Sequence, residues 1–111
     1  MPLIKLCKLN EISTAQSLGF FITDVTPQRN IFIVYHDDQV YAYENQCPHT
    51  LGPLDWSPHQ FLNNSQDHIQ CASHGALFTI SSGECVYGPC LQQSLIKLPI
   101  EVLDGSVYVS L

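Results

Sequence analysis

Two stretches decide how this chain reads: Cys47-Pro48-His49 and Cys71-Ala72-Ser73-His74. Each offers one thiolate and one imidazole. Each follows an extended, β-prone run and opens a segment rich in Pro, Gly and Ser. Together they hold four of the ten Cys and His residues of the chain. The pattern is Cys-x-His, twenty-one residues, then Cys-x-x-His. Neighbouring ligands of one tetrahedral metal usually have about two to four residues between them, because the chain must turn. The single residue between Cys47 and His49 is tight for a shared metal and comfortable for two adjacent ones.

The two boxes resemble those of Rieske iron–sulfur proteins. The residues that carry the resemblance continue through His74-Gly75-Ala76-Leu77-Phe78, Ser82-Gly83 and Gly88-Pro89. It is close over residues 45 to 91 and rests elsewhere on a matching order of strands. It implies a [2Fe–2S] cluster, with Cys47 and Cys71 on one iron and His49 and His74 on the other. The gap between the boxes is longer than the family usually has, which implies a small extra loop. On the residues alone, two other readings stay open: coincidental Cys/His pairs in a β-rich domain, or a zinc site built from the same four residues.

Length and charge bound the function. A chain of 111 residues is expected to form one domain with a modest core. Hydrophobic residues make up 45% and charged residues 13%, which excludes a disordered chain. The net charge is −6, and Lys5, Lys8, Arg29 and Lys97 are the only Lys and Arg residues. That excludes nucleic acid and anionic membrane surfaces as partners, since both need clustered cations. It favours a partner with a basic docking face. The run from Met1 to Ile12 alternates apolar and polar residues, without the apolar core of a signal peptide or membrane anchor. The expected location is the cytoplasm.

Five cysteines argue against a purely disulfide-based framework. Cys7 reads as a small core residue. Cys85 and Cys90 flank the Tyr87-Gly88-Pro89 turn, and a reducing cytoplasm favours two thiols over a bridge. The other histidines, His36, His59 and His68, have no Cys at a matching distance and are not expected to be ligands. Trp56 and Phe61 read as packing residues.

The elements read as strands and turns. Leu3 to Leu9 is a strand, and Asn10 to Gln16 a connection with about one helical turn. Leu18 to Thr23 is β-rich, and Pro27 to Asn30 a turn. Ile31 to His36 and Val40 to Glu44 form a hairpin about Asp37-Asp38. Trp56 to Gln66 is an insertion in which Phe61-Leu62 pairs with His68 to Gln70 and delivers Cys71. Ala76 to Ile80 and Glu84 to Tyr87 flank a Ser81-Ser82-Gly83 turn. Ile96 to Leu103 and Val107 to Leu111 flank Asp104-Gly105, a strong two-residue hairpin signal. The fold class is all-β. The resemblance implies an antiparallel sandwich base over residues 1–111, with the cluster-binding part inserted at about 45–91.

Departures from the respiratory type sharpen the functional expectation. In that type an extra Cys in each ligand loop forms a bridge; Gly52 and Ser73 stand at those positions here. That type also has hydroxyls where this chain has Ala76 and Phe78. Hydrogen bonds to sulfur raise the potential, so a low-potential cluster is implied. The chain then resembles the ferredoxins of ring-hydroxylating oxygenase systems and the small subunit of nitrite reductase. It has no two-His-one-carboxylate iron site and no Gly-rich dinucleotide motif. It reads as an electron-transfer component rather than an enzyme by itself. A flavin-containing NAD(P)H-dependent reductase is the implied donor, and an oxygenase or reductase the acceptor. A non-redox docking subunit is the alternative of a different class.

Overall fold

The most β-prone run of the sequence is also the most deeply buried. Ile31, Phe32, Ile33 and Val34 are all fully inaccessible. Successive side chains of a strand point to opposite faces, so a strand buried throughout must have a layer on each side. The computed structural model, which describes residues 3–23, 28–46, 54, 59–63, 65–71, 75–88, 91 and 93–110, shows those layers.

The middle sheet has the order β2-β3-β4-β8, formed by Ser17–Ile22, Arg29–His36, Gln39–Glu44 and Lys97–Leu98. On one face, Ile31, Ile33 and Ala42 share a core with Val107 and Val109. Those two valines belong to the outer sheet β1-β10-β9, formed by Leu3–Lys8, Ser106–Ser110 and Ile100–Leu103. On the other face, Phe32, Val34 and Tyr43 share a core with Ile69, Phe78 and Cys85. Those belong to the third sheet, β5-β6-β7, formed by His68–Gln70, Leu77–Thr79 and Cys85–Tyr87. Among the described residues every strand pairing is antiparallel.

Both hairpins expected on two-residue turns form. Asp37 and Asp38 have φ of 50° and 61°, and Asp104 and Gly105 have 51° and 75°. Two successive positive φ values give the turn whose twist matches the flanking strands. The third layer docks through aromatic rings: Phe61 stacks on Phe32 with centroids 4.3 Å apart. Gly19 leaves room for that ring, since a Cβ there would lie 3.1 Å from it. The buried Tyr43 hydroxyl donates to the Ile80 carbonyl. Phe61 is a packing residue, as expected; Trp56 lies outside the described residues.

Three expectations are corrected. The connection at residues 10–16 is a seven-residue helix, α1, Leu9–Ala15, rather than about one turn. The Glu11 carboxylate accepts from the Lys8 N–H at 2.8 Å, and Ile12 is fully buried against the outer sheet's core. One buried residue and one cap hold a helix too short to show a 3.6-residue period. Of the turn expected at 27–30, Arg29 and Asn30 are strand residues instead, paired with Ile22 and Phe21, and Arg29 forms an ion pair with Glu44. The strand expected over 96–103 is two. Pro99 separates β8, paired to β4, from β9, paired to β10. Proline lacks the N–H that a continuous ladder needs, so the chain changes sheets there. Cys7 is buried in the core, and burial, followed by the nearby Glu11 carboxylate, pushes its thiol pKa up.

Candidate metal centre

The two candidate ligand loops leave the same core by different means. The second is built on backbone. Leu62 bridges Ile69, and the Gln70 N–H donates to the Phe61 carbonyl at 2.9 Å, so the expected small hairpin does deliver Cys71. The Cys71 N–H then donates to the Ala76 carbonyl at 2.9 Å, and the Gly75 N–H donates back to the Cys71 carbonyl at 3.0 Å. The two flanks of the second box, Cys71 and Gly75-Ala76, are thereby joined to each other. Gly75 turns the chain with φ of 66°. Gly88 seals the other side: a Cβ there would lie 2.8 Å from Ala76 Cα. Cys71, Ala76 and Gly88 thus form one row across the third sheet. Cys71 and Ala76 are fully buried.

The flanks of the first loop, on either side of residues 47–53, are joined by a side chain. Asn45 precedes it and is 8% exposed. Its N–H donates to the Asn30 carbonyl at 2.8 Å, anchoring it to β3. Its side-chain Oδ1 accepts from the Leu54 N–H at 2.7 Å, across the whole loop. Asparagine is suited to this, because its short amide mimics a backbone group. Leu54 is fully buried and shares its core with Cys71, Ala76 and Phe78. Both loops are therefore rooted in one cluster of side chains. The sequence reading missed Asn45; an Asn two residues before a ligand box was the available signal.

Of the four candidate ligands, Cys71 is placed at the end of β5, while Cys47, His49 and His74 lie outside the described residues, as do Cys90, Gly52 and Ser73. The remaining histidines have other partners. The Gly19 N–H donates to His59 Nδ1 at 3.0 Å, which fastens the insertion to β2. His68 Nδ1 lies 3.0 Å from Asp67 Oδ1, and His36 Nε2 3.5 Å from Asp37 Oδ2. The hydrogen bonds from His68 and then Asn63 hold the Asp67 pKa down. Among the described residues, no group of three or more His, Cys, Asp or Glu is placed to hold a metal ion, so no competing centre lies there.

A family model described as the Rieske [2Fe-2S] domain matches residues 3–103. The chain belongs to that family. Among curated proteins it is similar to ferredoxin CarAc of Metapseudomonas resinovorans, at 33% identity over 73 residues. That match covers 66% of this chain and 63% of the relative, less than two thirds of the relative's length. Among solved structures, the fold matches the ferredoxin of carbazole 1,9a-dioxygenase from Nocardioides aromaticivorans. The TM-score there is 0.77 at 21% identity, covering 99% of this chain and 98% of the other. It also matches a chain in a complex of reduced oxygenase and oxidized ferredoxin of carbazole 1,9a-dioxygenase. That match has a TM-score of 0.75 and 24% identity, covering 97% and 92% of the two chains. The all-β expectation is borne out.

A Rieske domain implies a [2Fe–2S] cluster, and the residues present fit one. Cys71 is fully buried at a strand end, and its loop is closed by hydrogen bonds rather than by the ligand itself. A thiolate there is shielded from water on the side of Ala76 and Gly88. The candidate donor set of two Cys and two His is of the type that a Rieske cluster uses. Cys85, 3% exposed, pairs with Phe78, and its Sγ lies 3.3 Å from the Tyr87 carbonyl. At Ala76 and Phe78, both fully buried, the chain supplies no hydroxyl.

Proposed function

We propose that this chain is a low-potential one-electron carrier, with residues 1–111 as one Rieske unit and about 45–91 as its cluster-binding part. Cys47 and Cys71 would hold one iron, and His49 and His74 the other. The observation that carries this reading is the Cys71–Ala76–Gly88 row, in which the Cys71 thiol is fully buried beside Ala76 at the end of β5. When bound, the cluster supplies a one-electron couple centred on its His-ligated iron. The protein's own part is to hold the loops, exclude water and limit hydrogen bonding to sulfur. Ala76 and Phe78 do the last by lacking hydroxyls, which keeps the potential low.

The partners we infer are a flavin-containing NAD(P)H-dependent reductase as donor and an oxygenase as acceptor. The ferredoxin name of the curated relative and the oxygenase–ferredoxin complex among the structural matches support the second. Nucleic acid and membrane have no place in the reading. The net charge of −6 opposes both, and among the described residues no helix is long and apolar enough to cross a membrane. The location proposed is the cytoplasm.

Electron paramagnetic resonance of the dithionite-reduced protein tests the function. A rhombic Rieske-type signal, with iron and acid-labile sulfide in equal amounts, is expected. A silent spectrum with bound zinc would overturn the reading in favour of a Cys2His2 zinc module. A protein with neither metal would point to the non-redox docking subunit.

A further inference from the structure

We infer that the exposed end of β7, centred on Val86 and Tyr87, is the docking surface for a protein redox partner whose contact face has an apolar centre ringed by Lys and Arg. The inference rests on the electron-carrier reading above. Three independent observations support it.

The first is a break in alternation. Leu77 pairs with Tyr87 and Phe78 with Cys85, so the register shifts and Val86 is the extra residue of a β-bulge. In a regular strand Tyr87 would share the inward face of Cys85, which is 3% exposed. The bulge instead leaves Val86 43% and Tyr87 64% exposed. Bulges re-aim side chains and are common beside functional sites.

The second is place. Gln70, Leu77 and Tyr87 form one row of the third sheet. The next row is Cys71, Ala76 and Gly88, the one that closes the second ligand loop. Tyr87 therefore stands one residue, about 3.3 Å along the strand, from the ligand row. Leu91, beyond the same turn, is 57% exposed.

The third is charge, and it selects the occupant. Between Arg29 and Lys97 the sequence contains no Lys or Arg but has Asp37, Asp38, Glu44, Asp55, Asp67 and Glu84. Of the two bounding cations, Arg29 is paired with Glu44, while the Lys97 ammonium donates to the neutral Ser81 carbonyl at 3.0 Å and keeps its charge, so the six acids outnumber the cations of the stretch. Glu84 is exposed two residues before Val86. A second copy of the chain, a nucleic acid or an anionic membrane would set more negative charge against a chain of net charge −6. A basic protein face fits, and the ridge then supplies the desolvated contact that charge alone lacks.

The test uses the cluster-loaded full chain, reduced with dithionite, and a cationic cytochrome c as the probe acceptor in stopped flow. The second-order rate constant is expected to fall about tenfold or more as salt rises. Tyr87→Ser and Val86→Ser are each expected to slow it about fivefold at low salt, with absorption spectrum and midpoint unchanged. Glu84→Lys is expected to slow it and flatten the salt dependence. Leu103→Ser, which removes a comparably exposed leucine from β9, is expected to leave the rate alone; Leu103 is 46% exposed. Should a ridge variant lose its cluster, the remaining two decide. A rate insensitive to all three ridge variants, slowed equally by Leu103→Ser, or rising with salt would overturn the assignment. A protein that shows no reducible cluster fails at the carrier reading instead, and that failure is seen before any rate is measured.

Discussion

The flanks of the two candidate ligand loops reach the same core by different means. Loop 71–76 is an extension of a sheet: its ends are joined by backbone hydrogen bonds, and Gly88 presses on it from the neighbouring strand. Residues 47–53 connect Gln46 to Leu54, and the Asn45 side-chain amide links the two flanks. Backbone hydrogen bonds survive most substitutions, because every residue but proline can make them. A side-chain bridge is lost with one substitution. The flanks of the first loop should therefore be sensitive to the identity of Asn45, and the second loop to the absence of a side chain at Gly88.

The largest effects should erase the difference. Alanine in place of Cys47, His49, Cys71 or His74 should abolish the visible cluster absorption and lower thermal stability in each case, since ligand binding is coupled to folding. Colour retained in any one variant would remove that residue from the ligand set.

Gly88→Ala probes the backbone-built loop. The new Cβ would meet Ala76 Cα at 2.8 Å and Cβ at 3.0 Å, from a backbone with φ of 107°. Overlap and strain together should cost about 2–3 kcal/mol in urea unfolding. A neutral result would mean that β7 can move away from the loop without loss.

Asn45 probes the other. Asn45→Ala leaves the buried Leu54 N–H without its acceptor, at a cost of about 1–3 kcal/mol. Cluster bleaching in chelator should accelerate. Asn45→Asp keeps the oxygen and should retain most of the lifetime. Equal losses in the two variants would argue that the loop is held by something other than this hydrogen bond.

Ala76→Ser and Phe78→Tyr ask whether the missing hydroxyls set the potential. A hydrogen bond to a charged group is worth about 1.5–3 kcal/mol, and the difference between redox states is a part of it. A rise of about 1 kcal/mol, or roughly 40 mV for one electron, is expected for each in voltammetry. The native midpoint should lie in the lower part of the Rieske range of roughly −150 to +300 mV. A native value above about +150 mV would sink the ferredoxin reading, and unmoved variants would sink the hydrogen-bond explanation.

The smallest effect concerns the aromatic seam beneath both loops. Burial, followed by the neighbouring Tyr41 phenol, pushes the Tyr43 pKa from the usual 10 up to about 12. A phenol harder to ionise in the folded state contributes stability that is complete below pH 10 and is lost as pH rises toward about 12. Tyr43→Phe should flatten stability over that alkaline interval, as followed by circular dichroism. An unchanged alkaline slope would show that Tyr43 is not the group responsible.

Much of this was written locally in the chain. The spacing of Cys47, His49, Cys71 and His74 depends only on residue type and order, and ligand chemistry is a property of the residues themselves. Asp37-Asp38 and Asp104-Gly105 announce their hairpins because turn geometry is decided within four residues. The buried run Ile31 to Val34 is unbroken in hydrophobicity and so requires a layer on each face. What only the tertiary structure decided are matters of who stands opposite whom. Pro99 divides one β-prone run because β4 and β10 lie in different sheets and claim its two halves. Asn45 closes a loop because Leu54 returns to it nine residues later. Tyr87 faces water because a register shift against β6 turns it outward, where strand alternation alone would have turned it in.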